Sequence, residues 1–328
     1  YTPSASASAQ DVEINSIAEL NKLKLTFNFT SNGREIVLND SDVHTDLGVG
    51  AYVLQACKDG KFDFGMQEML LPSKKGDNRV ALNGRELYKF CKNIGNNMKD
   101  STSTHPVYFR IGHFYTAANT SDGKYSDVMK VNVKSIYVDM SSVTVKAASD
   151  GAEVGHLYSP EDNEHYYGFI NCPSDWYNFW IYDGLQVQYG ILPNQYGTLE
   201  TPSSGKEVYN FWTIEANGIF YYDIDVIKKE IITNYVKSVT ANGVEMDLDQ
   251  ENVSYIATLD KTDVTIKITF VKYTSNDKAP QGEVEMYFCK NADGTLSLTK
   301  KESKITVDAA GEYVLSLGEK DYTFAPAK

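Results

Sequence analysis

"DVTIKITFVKY", residues 263–273, sets Val264, Ile266, Ile268 and Phe270 on one side and Thr265, Lys267, Thr269 and Val271 on the other. A period of two marks a half-buried β-strand, because successive side chains point to opposite faces of a sheet. The same alternation runs through "KLKLTFNF" (22–29), "GAYVLQACKD" (50–59), "HPVYFRIGHFY" (105–115), "DVMKVNVKSIYV" (127–138) and "GEVEMYFCK" (282–290). Turn-forming dipeptides separate these stretches: Asn32-Gly33, Asp59-Gly60, Asp122-Gly123, Asp150-Gly151, Asp183-Gly184, Asn242-Gly243 and Asp293-Gly294. One helix is predicted over "NGRELYKFCKNIG" (83–95), where Leu87, Phe90, Cys91 and Ile94 recur at helical spacing before Gly95, and a short one over 16–23. The expected fold class is therefore all-β, with tandem β-sandwich domains.

At 328 residues the chain exceeds what one hydrophobic core usually organises, so two or three domains are expected. A formal net charge of −13, with no Lys/Arg cluster against it, argues against nucleic acid and anionic membrane surfaces as partners. No apolar run approaches the roughly 18 residues of a membrane-spanning helix. The chain opens on Tyr1, and the small, polar "YTPSASASAQ" reads as a tether left once a targeting segment is removed. Cys57, Cys91, Cys172 and Cys289 lie far apart, with neither a CxxC nor flanking histidines, and read as buried apolar fillers rather than disulfides or metal ligands.

Composition divides the chain into a tether (1–23), a first domain (24–135), an aromatic-rich sandwich (136–235) and a C-terminal sandwich (236–328). "TIEANGIFYYDI" (213–224) and "TVDAAGEYVLSL" (306–317) share the order Thr, apolar, acid, Ala, any, Gly, any, aromatic, a weak repeat linking the last two.

Seventeen aromatic residues fall between Tyr158 and Tyr222, about twice the 12% of the whole chain, and "DWYNFWIY" (175–182) alone holds five. Alternation puts Phe179 and Ile181 on one face of their strand and Trp180 and Tyr182 on the other. In "GIFYYDIDV" it puts Phe220, Tyr222, Ile224 and Val226 opposite Tyr221, Asp223 and Asp225. If the aliphatic faces are the core, Trp180, Tyr182 and Tyr221 are exposed, with Trp176 and Tyr177 at the strand's entrance. A pyranose lays its C–H face on an aromatic ring while its hydroxyls need polar partners. Asn178, Asp183 and Gln188 are the candidate partners, with Asn171, Gln186 and Asn194 nearby. The expected glycan-binding set is thus Trp176, Tyr177, Trp180, Tyr182, Tyr221, Asn178, Asp183 and Gln188.

Signatures of catalysis are missing. His44, His105, His113, His156 and His165 are scattered without an HxxH or HExxH arrangement, and the sequence has no GxSxG elbow, P-loop or strand-linked GxGxxG. A glycosidase needs two carboxylates across a cleft, a geometry that 44 acidic residues leave open, although "SPEDNEH" (159–165) reads as a solvated loop. Asp-Gly pairs occur without EF-hand spacing. No catalytic residue, metal or cofactor is expected, and the sequons at Asn28, Asn39, Asn119 and Asn252 carry weight only in a eukaryotic secretory setting.

The succession "EIVLNDSDV", "AYVLQACKDGKFDFG", "LNGRELYKFCKNIG", "HPVYFRIGHFY" and "KYSDVMKVNV" resembles the N-terminal immunoglobulin-like domain of SusE/SusF-type outer-membrane lipoproteins of Bacteroidetes. Tyr52, Leu54, Gln55, Phe62, Leu87, Val107, Tyr108, Arg110, Tyr125, Ser126 and Val128 fall on that family's pattern, over residues ~25–135. The segments around Gly218 and Gly311 are similar to the closing strands of its small carbohydrate-binding sandwiches. The resemblance implies an immunoglobulin-like spacer followed by two smaller carbohydrate-binding-module-like sandwiches. It also implies a lipid-anchored protein on the outer membrane, facing outward, beside a transporter and companion glycan-binding proteins of a polysaccharide-utilisation system. The family's lipid-bearing N-terminal cysteine is absent from this sequence, which fits a chain beginning after it. The last module has no tryptophan, only rings such as Tyr273, Tyr287 and Tyr322. A non-catalytic surface glycan-binding protein for polysaccharide or oligosaccharide is the leading expectation. A structural, protein-binding or adhesin-like component is the alternative, and a glycoside-active enzyme the third.

Overall fold

The computed structural model describes residues 1–31, 51–114, 123–202, 205–213, 217–273 and 280–328. Asn32-Gly33, "EIVLNDSDV", Asp122, His44, Asn39 and Asn119 lie outside them. The protein is all-β, with two short helices among the described residues, and divides into two compact units, Tyr1–Val138 and Asp139–Lys328.

The first unit holds strands β1 (Ala5–Ala7), β2 (Asp11–Ile14), β3 (Lys24–Ser31), β4 (Ala51–Cys57), β5 (Gln67–Leu71), β6 (Gly76–Asn83), β7 (His105–Phe114), β8 (Lys124–Tyr125) and β9 (Met129–Ser135). Helix α1 (Ile17–Lys22) lies between β2 and β3, and α2 (Gly84–Asn93) follows β6. Sheets β1-β3-β6 and β2-β9-β7-β4-β5 face each other, with Phe27 against Phe109 at 4.9 Å and Phe29 against Tyr52 at 5.7 Å. Residues 1–23, expected as a tether, are part of this sandwich. β1 pairs with β3, β2 runs parallel to β9, and Val12, Ile14 and Leu20 are buried. "DVEI" alternates like any other strand, and Ser16 caps α1 by accepting from the Glu19 N–H. Asn83 and Glu86 close a reciprocal capping box on α2, which buries Leu87, Tyr88 and Cys91.

Four of the residues that carry the family resemblance, Gln55, Phe62, Arg110 and Tyr125, form one stack. The Arg110 guanidinium lies 3.6 Å from the Tyr125 ring centroid and 4.1 Å from that of Phe62. Its Nε donates to Gln55 Oε1 at 2.7 Å, and Gln55 Nε2 donates to Glu68 at 2.7 Å. A planar cation between two rings fixes three segments at once.

The second unit holds β10 (Ser142–Ala147), β11 (Glu153–Tyr158), β12 (His165–Cys172), β13 (Asn178–Tyr182), β14 (Gln188–Leu192), β15 (Gln195–Glu200), β16 (Phe211–Trp212) and β17 (Gly218–Asp225). β18 (Glu230–Ala241), β19 (Val244–Glu245), β20 (Asp247–Asp249), β21 (Ser254–Leu259), β22 (Asp263–Val264) and β23 (Ile266–Tyr273) follow. β24 (Pro280–Lys290), β25 (Leu296–Thr299), β26 (Ile305–Thr306), β27 (Gly311–Ser316) and β28 (Thr323–Pro326) complete it.

The order β15-β14-β13-β10-β11-β12-β17-β18 closes on itself, because Thr198 of β15 pairs with Glu230 of β18. Val143, Val145, Leu157, Tyr166, Phe179, Ile181, Phe220 and Tyr222 fill its interior. β18 then continues past residue 235, where composition places a domain boundary, and pairs with β23 from Thr233 to Ala241. The sheet β18-β23-β24-β25 shares a second core with the sheet β20-β21-β27-β28, built on Val239, Ile268, Phe270, Phe288, Tyr255 and Leu315. The repeated segments play equivalent parts: Gly218 and Gly311, at φ +137° and +153°, open β17 and β27. Those angles favour glycine.

All four cysteines are free; Cys57, Cys91 and Cys172 are buried and Cys289 half-buried. Burial pushes the Cys91 and Cys172 thiols up to about 12, away from reactivity at neutral pH.

Candidate functional site

β13 is flanked by β10 on one side and by β14 and β16 on the other, and its alternation is the one the sequence shows. Phe179 and Ile181 are buried in the interior, while Trp180 and Tyr182 are half-buried on the outer face. Thr144 and Lys146 lie opposite Tyr182 and Trp180 on β10, and Gln188 lies opposite Tyr182 on β14. The Lys146 ammonium stands 5.0 Å from the Tyr182 ring centroid, a cation–π contact across the strands.

The Trp180 indole has room because Gly190 has no side chain. A Cβ there would stand 2.6 Å from Trp180 Cζ3 and 2.2 Å from the Tyr209 carbonyl oxygen. β16 brings Trp212 opposite Asn178 onto the same face, and the Tyr209 ring lies 6.5 Å from that of Trp212. The exposed Asn178 accepts a hydrogen bond from Asn210 Nδ2 at 3.1 Å. The result is a sheet face that presents rings framed by amides, a hydroxyl and an ammonium. Tyr209, whose backbone pairs with the buried Ile191, lies beside this face at 41% exposed, and its phenol donates to Glu207 at 2.7 Å.

Of the expected residues, Trp180, Tyr182, Asn178 and Gln188 come together on this face. Trp176 stands in the turn before β13 with φ +52° and is 43% exposed, the most open of the three tryptophans. Tyr177 turns toward the interior, its ring parallel to that of Phe179 at 6.5 Å. It also lines a cleft of about 310 Å³ with Asn171, Asp150, Glu153 and Glu251. Asn171 accepts from Gln250 at 3.0 Å, while Gln186 and Asn194 are exposed turn residues at φ +61° and +60°.

Two expectations are corrected. Asp183, at 3% exposed, does not face solvent: Oδ1 accepts from the Leu185 and Val187 N–H groups and Oδ2 from the Tyr189 hydroxyl. It is the internal clamp of the β13–β14 turn. Tyr221 does face away from the first interior, but the second core covers it, with Phe169 at 4.7 Å and Phe270 at 5.5 Å. Burial pushes its phenol well above the ordinary tyrosine value. Tyr322 of the last module joins the same cluster, 5.3 Å from Phe169.

Trp212 and Tyr209 were missing from the expected set. Phe211 is buried and Trp212 half-buried, so the alternation in "FW" marks Trp212, but two residues make a weak signal. Tyr209 precedes the strand and has no periodicity to reveal it. Among the described residues, no group of three or more His, Cys, Asp or Glu side chains is placed to hold a metal ion.

Fold and site together define an all-β protein with a shared-strand pair of sandwiches and an aromatic outer face on the first of them. A domain of unknown function, DUF5111, matches residues 139–236, the stretch that contains this face. No curated protein and no solved structure matches the chain.

Proposed function

We propose that this protein is a non-catalytic glycan-binding protein that captures polysaccharide at a cell surface. The observation that carries the reading is the outer face of β13, where Trp180, Tyr182 and Trp212 present ring surface beside Asn178, Gln188 and Asn210, with the exposed Tyr209 ring next to Trp212. Rings take the C–H faces of pyranoses, and amides both donate to and accept from their hydroxyls. Capture is the mechanism. Single shallow sites of this kind hold about 4–8 kcal/mol, and display of many copies turns that into retention. The resemblance of residues ~25–135 to SusE/SusF-type lipoproteins supports an outer-membrane location, facing outward, beside a transporter and companion binding proteins.

Affinity gel electrophoresis against a panel of neutral and acidic polysaccharides tests the reading. The protein is expected to be retarded by at least one polymer, and Trp180→Ala to lose that retardation with its melting midpoint lowered by no more than a few degrees. A panel with no retarding polymer sinks the proposal and returns the face to the role of a protein interface. Release of reducing sugar would overturn the non-catalytic part.

A further inference from the structure

The aromatic face does not stop at β13. On β11, His156 lies opposite Thr144 and Tyr158 opposite Ser142, and Tyr158 is in turn opposite Tyr167 of β12. Tyr167 faces Asp223 of β17. These side chains share one side of the closed sheet, since the residues between them, Val143, Val145, Leu157 and Tyr166, fill its interior.

Side chains approach one another at two places along the way. Thr144 Oγ1 is 3.4 Å from His156 Nδ1, and the His156 and Tyr158 rings are 6.2 Å apart. On β12 the His165 and Tyr167 rings are 4.5 Å apart, with His165 Nε2 held 2.5 Å from Asp223 Oδ1. Tyr158 and Tyr167 are half-buried, and the His156 and His165 side chains remain 36% and 31% exposed. Burial, and then the Glu319 carboxylate, raise the Tyr158 phenol, so the last module flanks the strip at this end.

We propose that this strip, from Trp212 on β16 through Trp180, Tyr182, His156 and Tyr158 to Tyr167 on β12, is a track for a linear, uncharged polysaccharide lying across the strands. The inference rests on the glycan-binding reading above and adds the form of the ligand. Five neighbouring strands span four intervals of roughly 5 Å, and the register carries the strip six residues, about 20 Å, along the strands, so the track runs diagonally for about 28 Å, room for about five pyranose units at roughly 5 Å each. Charge selects the occupant. Lys146 is set over Tyr182, His165 is paired with Asp223, and Glu153 lies 3.9 Å from His156, so the strip's charges are engaged within it. Such a face suits hydroxyls and C–H surfaces and leaves a polyuronic acid without a cation of its own.

Calorimetric titration of the full chain with ladders of malto-, cello-, xylo- and manno-oligosaccharides, from disaccharide to octasaccharide, tests this. Within the ladder that binds, affinity is expected to rise roughly tenfold up to about five units and then level off. Tyr167→Leu should weaken long oligosaccharides more than the disaccharide and remove most of the gain with length. Tyr158→Leu should do the same, so that a folding defect in one variant does not decide the outcome. Equal affinity for short and long glycans, or both leucine variants binding like wild type while Trp180→Leu does not bind, overturns the track and leaves the glycan-binding reading standing. Binding confined to polygalacturonate overturns the uncharged occupant. No binding to any ladder or polymer overturns both proposals.

Discussion

Tyr221→Ala and Trp180→Ala start from the same sequence reading, two rings on outer faces, and the structure predicts opposite outcomes for them. Tyr221 is wedged between Phe169 and Phe270, at 4.7 and 5.5 Å, in the core that the second half of unit 2 builds against β12 and β17. Deleting a buried aromatic ring costs about 3–5 kcal/mol, and the lower figure of about 3 suits a ring that is not wholly enclosed. For a unit of the size of Asp139–Lys328, each kcal/mol moves the midpoint by about 2–4 °C, so the second unit's transition should fall by about 6–12 °C. Trp180, half-buried over Gly190, should cost about 1 kcal/mol, a shift of a few degrees. Differential scanning calorimetry and affinity electrophoresis on the same samples separate the two. Tyr221→Ala is expected to melt early and, below its midpoint, to be retarded like wild type. Trp180→Ala is expected to do the reverse. Tyr221→Phe, which keeps the ring, should stay within about 1 kcal/mol of wild type. A Tyr221→Ala protein that melts normally but has lost retention would refute the placement of this ring in the second core.

Two further predictions concern stability. Burial raises the Tyr166, Tyr189 and Tyr222 phenols above 10.0 and the Cys172 thiol from 9.0 to about 12, so the folded state keeps protons that the unfolded state releases. Stability from these groups is complete below their unfolded values and falls as pH rises past about 9, by up to about 1.4 kcal/mol per pH unit for each group. Denaturant midpoints between about pH 8 and pH 11 should drop accordingly, and phenolate absorbance from these tyrosines should appear with unfolding; flat midpoints would contradict the burial. In the first unit, Arg110→Lys loses the flat stack on Phe62 and Tyr125 and the Nε donor to Gln55, which should cost about 1–2 kcal/mol. The transition of that unit alone should move, and Tyr125→Leu added to Arg110→Lys should cost less than the sum of the two.

Strands and helices were legible because each writes its period into a few consecutive residues. "DVTIKITFVKY" becomes β22 and β23, and "NGRELYKFCKNIG" becomes α2 with Asn83 as its cap. What a short window does not carry is partnership. The small residues of "YTPSASASAQ" look like a tether, yet Ala5–Ala7 pairs with β3, and backbone pairing needs no particular side chain. Asp183 looks like a polar group beside a platform, but its carboxylate sits where the next turn's N–H groups converge. Asp readily caps its own turn, and that local use competes with any ligand.

The surplus of rings in the middle block has three destinations, and topology decides among them. Alternation tells which rings share a face; it does not tell what lies beyond that face. In a closed sheet ordered β15-β14-β13-β10-β11-β12-β17-β18, the strand that continues into the next sandwich is β18, so the second core grows against β18 and the neighbouring outer faces of β17 and β12. Phe169 and Tyr221 are therefore consumed there, while Tyr177, sharing the parity of Phe179, is drawn to the interior. The arc of β14, β13 and β10 lies across the closed sheet from β18, and the second core draws no ring from its outer side. Rings on the outer side of that arc, Trp180 and Tyr182 first among them, are the ones that connectivity leaves outside both cores.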